Sequence, residues 1–251
     1  PNTFILDTRG RSYQVYTASY FSGHIPGAVP ILHEQYSHPK YFDRIVSPLQ
    51  LESVLGKLGA GNGKKIVLYG NDGLQARVYW AFKMYGYDNV RILDGGLDKW
   101  KAAGFDITAA VSARPADTFE FDLNKLNTES FLATLNEVEN ALDNPGCIIV
   151  DARSRDEYLY KHIPGSVNLY CGELLNGDQT FKPASDLKAL AESKKVAGDK
   201  KIIVYSDSGI RSSMVWFALT ELLGYPDVKN YDGSFNEWLK QGRRVQSGEG
   251  R

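Results

Sequence analysis

Short apolar runs rich in β-branched residues recur along the chain, each followed by a longer stretch of helical character. The clearest is Ile202-Ile203-Val204, which reads as a strand buried on both faces. After it the segment from Ile210 to Leu223, mostly apolar beyond Ser213, reads as a largely buried helix. Alternation of this kind predicts parallel strands with crossover helices, an α/β architecture. In the C-terminal half it predicts strands at 147–151, 166–169, 201–205 and 228–231, and helices at 129–142, 154–160, 185–195, 210–223 and 234–240. Ile163-Pro164-Gly165 turns the chain before the second of these strands, and Gly224-Tyr225-Pro226 ends the long helix because proline cannot continue it.

The pattern occurs twice. Phe4-Ile-Leu-Asp-Thr-Arg9 returns as Ile148-Ile-Val-Asp-Ala-Arg153, and His24-Ile-Pro-Gly-Ala28 as His162-Ile-Pro-Gly-Ser166. Lys64-Lys-Ile-Val-Leu-Tyr69 returns as Lys200-Lys-Ile-Ile-Val-Tyr205, Trp80 as Trp216, and Asp94-Gly95 with Trp100 as Asp232-Gly233 with Trp238. Order and spacing are kept, so the chain is read as a duplicated α/β domain. The expected boundaries are 1–108 and 128–251, joined by a linker at 109–127 that mixes Ala, Ser, Pro and Asp and lacks the repeat. A helix is predicted between Thr128 and Asn144, ahead of the second Asp-x-Arg strand, whereas only Pro1, Asn2 and Thr3 precede the first. Either the matching helix is missing or the domain tolerates its absence.

Composition narrows the function. A chain of 251 residues, 43% hydrophobic and 24% charged, suits two ordinary soluble domains with a core each. The net charge of −1, without a lysine or arginine block, implies no nucleic-acid or acidic-membrane surface. No apolar run approaches the roughly 18 residues of a membrane span and no signal peptide opens the chain, so the expected location is cytosolic. Cys147 and Cys171 are too few for a disulfide framework, and His24, His33, His38 and His162 are scattered. No metal or cofactor site is expected.

Candidate chemistry lies in the loop between the strand at 201–205 and the helix at 210–223, Ser206-Asp207-Ser208-Gly209-Ile210-Arg211. A tight loop with a glycine, running directly into a helix, leaves backbone N–H groups unpaired near Ser206 and attracts anions. Arg211 and the hydroxyls of Ser212 and Ser213 act in the same direction. The bland alternative is a packing loop of the kind common in α/β proteins.

The loop, together with Asp-x-Arg, His-Ile-Pro-Gly-Ala/Ser and Asp-Gly-Gly/Ser followed by Trp, resembles the tandem rhodanese family of sulfurtransferases, and all these marks stand in order in both halves. The resemblance implies a parallel five-stranded sheet with helices on both faces in each domain. It also implies an inactive first domain and an active site in the second, facing a cleft between them. In that family the first loop position is a nucleophilic cysteine, and a cationic sixth position, here Arg211, fits the members that use thiosulfate. The first-domain loop Gly70-Asn-Asp-Gly-Leu-Gln75 has neither nucleophile nor charge at those places.

Ser206 is the departure. Sulfur transfer needs a thiolate that takes the outer sulfur of a small anionic donor, thiosulfate or mercaptopyruvate, and passes it to a thiol or cyanide. A serine hydroxyl cannot form a persulfide, and no His or Lys adjoins it in sequence to act as base. Ser206 is therefore read as a cysteine replaced on purpose, as the mark of a silent anion- or partner-binding module, or as the nucleophile of a hydrolase. Around it, Asp207, Ser208, Gly209, Ile210 and Arg211 are the expected anion-binding residues, and Arg155 reaches a substrate anion or is a solvated arginine. Asp151, Arg153 and His162 support the site, with an internal ion pair and a turn-fixing histidine as the structural readings, because Asp7, Arg9 and His24 repeat them in the silent half. Trp216, Trp238 and Cys147 read as core, and Cys171 emerges on the edge that carries the Ser206 loop.

Overall fold

A computed structural model of the chain describes residues 2–41, 44–112 and 114–249. The chain divides into two compact units, Pro1–Asn127 with Asp178–Thr180, and Thr128–Gly177 with Phe181–Arg251.

In the first unit, strands β1 (Thr3–Asp7), β2 (Val29–Pro30), β3 (Lys65–Tyr69) and β4 (Val90–Ile92) form a parallel sheet in the order β2-β1-β3-β4. Helices α1 (Tyr13–Phe21), α2 (His33–Tyr36), α3 (Pro48–Lys57), α4 (Leu74–Met84) and α5 (Gly96–Ala102) alternate with them. The second unit repeats the plan: β5 (Cys147–Asp151), β6 (Val167–Asn168), β7 (Lys201–Tyr205) and β8 (Val228–Asn230) are parallel in the order β6-β5-β7-β8. Its helices are α6 (Thr128–Phe131), α7 (Leu135–Ala141), α8 (Arg155–Tyr160), α9 (Ala184–Ser193), α10 (Ile210–Phe217) and α11 (Ser234–Lys240).

Each sheet therefore has four strands where the family pattern implied five. In the second unit the fifth place, beside β8, is held by a single parallel bridge between Leu132 and Asn230. That bridge also breaks the helix expected at 129–142 into α6 and α7. The Ala133 N–H donates to the Asn230 carbonyl at 3.0 Å, and Thr134 then caps α7 afresh, with Glu137 closing a capping box.

Burial follows the apolar pattern. Ile202, Ile203 and Val204 are wholly inside, as are Trp80 and Trp216 at matching places on α4 and α10. Val138 and Ala141 of α7 pack over Ile149, Ile203, Tyr205 and Trp238. The second copy has two more residues between its Trp and the left-handed Gly that follows the helix, 216 to 224 against 80 to 86, and after α10 the chain widens into a π turn over Ala218–Leu222. Residues of the predicted linker pack on the first unit: Phe119 and Phe121 are buried edge-on against Phe82, and the Asp117 N–H donates to the Gly56 carbonyl at 3.0 Å. Among the described residues no helix is long and apolar enough to cross a membrane, and no group of His, Cys, Asp and Glu could hold a metal ion.

Candidate active site

Parallel strands carry their C-terminal ends to one edge of the sheet, which is where open α/β sheets place ligands. In the second unit β5 and β7 end there on Asp151 and Tyr205, paired in register, and the 206–209 loop leads from β7 into α10. Gly209, at φ 71°, is the residue before α10, a left-handed conformation that glycine adopts without penalty.

Ser206 is completely buried, and its Oγ donates to Ser212 Oγ at 3.3 Å. The loop is held from below by Ser234. Its Oγ accepts from the backbone N–H of Ser206 at 3.1 Å and of Gly209 at 2.9 Å, and donates to the Tyr231 carbonyl at 2.7 Å. One hydroxyl thus uses its donor and both acceptor sites. Ser234 has φ 55°, where Gly96, the matching residue of the first unit, has φ 56°. A serine in the left-handed region carries backbone strain, and the two loop amides it fixes are the compensating gain. The Phe235 and Asn236 N–H groups donate to the carbonyls of Ser206 and Asp207, at 2.9 and 3.1 Å. Asn230 Nδ2 donates to the Gly209 carbonyl at 3.3 Å. Among the described residues the N–H groups of Asp207, Ile210 and Arg211 have no acceptor and remain open to a ligand.

Arg211 lies half-buried at the end of the loop. It donates to Glu157 through Nη1 at 2.7 Å and Nη2 at 2.8 Å, and to Asp207 through Nε at 3.2 Å. Burial alone would lower its pKa, but the bonds and charges of Glu157 and Asp207 outweigh that and raise it. The same bonds hold the Glu157 carboxyl down to about 2, helped by Ser154. Glu157 is also the third residue of α8, closing a capping box with Ser154.

Asp151 and Arg153 form a buried fork, Nε to Oδ1 at 3.0 Å and Nη2 to Oδ2 at 2.6 Å, and Tyr205 Oη donates to Asp151 Oδ2 at 2.6 Å. Arg9, Asp7 and Tyr69 repeat this lock in the first unit. His162 stacks on Tyr158 at 4.0 Å with Nδ1 on the Tyr158 carbonyl, as His24 does on Tyr20. Arg155 is half-exposed and paired with Glu249, and has no bond to the loop. Ser208 lies partly exposed within the loop.

Cys171 is buried in a short turn near the loop, and burial pushes its thiol up to about 11 against the opposing pull of Arg211. Cys147 sits at the other end of the sheet, partly exposed rather than fully in the core. It borders a cavity of about 170 Å³ with Glu137, Asn140, Asn144 and Lys201, and its thiol is raised by burial. Neither thiol is activated.

The first-unit loop differs in space as well as in residue type. A Cβ added at Gly70 would lie 2.0 Å from Thr8 Oγ1, so the space for a nucleophile's side chain is filled. Thr8 matches Ala152 of the second unit. From sequence, Ser212 is named only as a hydroxyl of the first helical turn, and Ser234, Glu157 and Thr8 are not singled out. The Ser154-x-x-Glu157 spacing was a readable cap signal, but nothing in it pointed to Arg211.

The rhodanese-like domain family matches residues 1–103 and 134–241. A protein of Haloferax volcanii provisionally named thiosulfate sulfurtransferase is 34% identical over 239 residues, which are 88% of this chain and 82% of that protein. The sulfur carrier protein TtuD of Thermus thermophilus is 34% identical over 238 residues, 87% of this chain and 83% of that one. Among solved structures, EanB with ergothioneine superposes with a TM-score of 0.87 at 23% identity, covering 99% of this chain and 65% of that chain, and so supports the fold. With the domain matched in both halves, and its sheets, locks and loops repeated in each, the chain belongs to the rhodanese-like family.

Proposed function

We propose that the second unit is built to move a sulfane sulfur from thiosulfate to cyanide or a thiol, through a persulfide on the residue that occupies the Ser206 position, and that the chain with serine there is catalytically silent. The observation that carries this reading is the loop itself: a buried first position, N–H groups of Asp207, Ile210 and Arg211 without acceptors, and a guanidinium at the sixth position. A thiolate at 206 would attack the outer sulfur of thiosulfate, and the S–S bond would break with its electron pair leaving on sulfite. Cyanide would then attack the terminal sulfur of the persulfide, giving thiocyanate and returning the thiolate. Loop amides would stabilise the negative sulfur at both stages.

The relatives named as thiosulfate sulfurtransferases favour thiosulfate over mercaptopyruvate as donor. Both cysteines are free, which fits a reducing cytosol. A hydrolase is disfavoured, because the partner of Ser206 Oγ is another hydroxyl and not a base. The silent binding module is the second reading, favoured by the serine and by the rigid stitching of the loop.

Ser206→Cys is the test. With positioning and anion stabilisation in place, the variant should show thiosulfate:cyanide sulfurtransferase activity where the parent shows none, and mass spectrometry should find one added sulfur on the new thiol, with Cys147 and Cys171 unmodified. Faster turnover of mercaptopyruvate would overturn the donor. A folded variant silent with both donors would leave the binding module as the function.

A further inference from the structure

Arg211 is the cation expected to meet the donor, yet three of its five N–H groups are already taken by two carboxylates. With Glu157 ionised, the group made of Arg211, Glu157 and Asp207 carries a net charge of −1 at neutral pH. An incoming dianion would therefore meet a neutralised arginine whose bidentate face is occupied. The duplication supplies an independent observation. In the first unit Ser12 caps α1 as Ser154 caps α8, but the residue three beyond it is Val15, whose side chain closes no capping box, and no acidic residue lies between Asp7 and His24. The first unit also has Gln75 in place of Arg211. Glutamate and arginine are present together in one copy and absent together in the other.

We propose that Glu157 is a specificity-determining residue of the second-unit loop: by holding the Arg211 guanidinium it keeps the site's affinity for doubly charged anions low. Glu157 is well placed for this, because Ser154 N–H and Oγ fix its Oε2 at 3.1 and 2.8 Å, so the carboxylate does not follow Arg211 when a ligand approaches. The inference rests on reading the loop as the donor site, but it concerns binding and not turnover.

The experiment is isothermal titration of thiosulfate and of sulfate into the chain with Ser206 in place, and into Glu157→Gln, Asp207→Asn, Arg211→Ala and the Glu157→Gln/Arg211→Ala pair. Glutamine keeps the capping box, so the helix start is preserved. Glu157→Gln should bind thiosulfate about tenfold more tightly than the parent, and the paired variant should lose that gain. Asp207→Asn, which removes the more weakly engaged carboxylate, should tighten binding about two- to threefold and serves alone if Glu157→Gln does not fold. Unchanged or weaker binding in Glu157→Gln, a gain that survives loss of Arg211, or no binding by any form would overturn the proposal. A silent Ser206→Cys protein combined with the expected binding pattern would sink the sulfurtransferase reading and leave this one standing. An active Ser206→Cys protein with flat binding across the series would do the reverse.

Discussion

Thr8 and Ala152 occupy matching positions at the ends of β1 and β5, and that one difference decides whether a side chain fits at the head of the neighbouring loop. Gly70→Cys should therefore destabilise the first unit by about 1–3 kcal/mol through overpacking. Adding Thr8→Ala should recover most of the loss, as read from denaturant midpoints. Equal stability of Gly70→Cys and the parent would show that Thr8 swings aside. That the first loop has neither a nucleophile nor a charge at its first and sixth places is legible in the sequence, from Gly70 and Gln75 alone. The plug was not legible, since Thr8 is far from Gly70 in sequence and only the pairing of β1 with β3 brings them together. Ser234 was missed for a similar reason. Its place in the Asp-Gly-Ser mark was noted, but its hydroxyl acts on amides 25 and 28 residues away.

Helix starts in the second unit combine local and distant work. Glu137 and Glu157 both stand at the third position of a capped helix, and both also bind cations from other elements: Lys201 and Lys229 for Glu137, Arg211 for Glu157. Burial alone would raise the Glu137 pKa, but the hydrogen bonds of Lys229, Thr134 and Lys201 hold it down to about 2. Its folded-state pKa is thus depressed, so its contribution to stability is fully present above the unfolded glutamate value of about 4.3 and is lost as pH falls through about 2. Glu137→Gln should lower Tm at pH 7 and leave it nearly unchanged at pH 2. A parallel Tm deficit at both pH values would mean that the charge of Glu137 is irrelevant. Strands β5 and β7 and helix α11 fall where the apolar pattern put them, because their periodicity is local. The break between α6 and α7 escaped that reading, because its cause, the Leu132 bridge to Asn230, is a tertiary contact.

At the level of the whole chain, duplication was the most legible feature, since matching residues in matching order need no structure to be seen. Where the first unit ends was harder to read: the repeat stops near 108, yet the compact unit runs to Asn127 because Phe119 and Phe121 complete its core. A fragment of residues 1–127 should thus fold where 1–108 is strongly destabilised, by about 1.5–3 kcal/mol for each lost phenylalanine ring. Melting curves of the two fragments would check this, and equal stability would make the 109–127 stretch a mere tether. The plug at Thr8 has a consequence for the history of the gene. Recombination between the two halves tends to homogenise duplicated sequence, but copying the second loop alone into the first would set a new side chain against Thr8, and copying Ala152 alone into the place of Thr8 would empty the space above Gly70. Each single exchange yields a poorer protein than either parent half, so the two copies are insulated from each other at the head of the loop where their chemistry diverges.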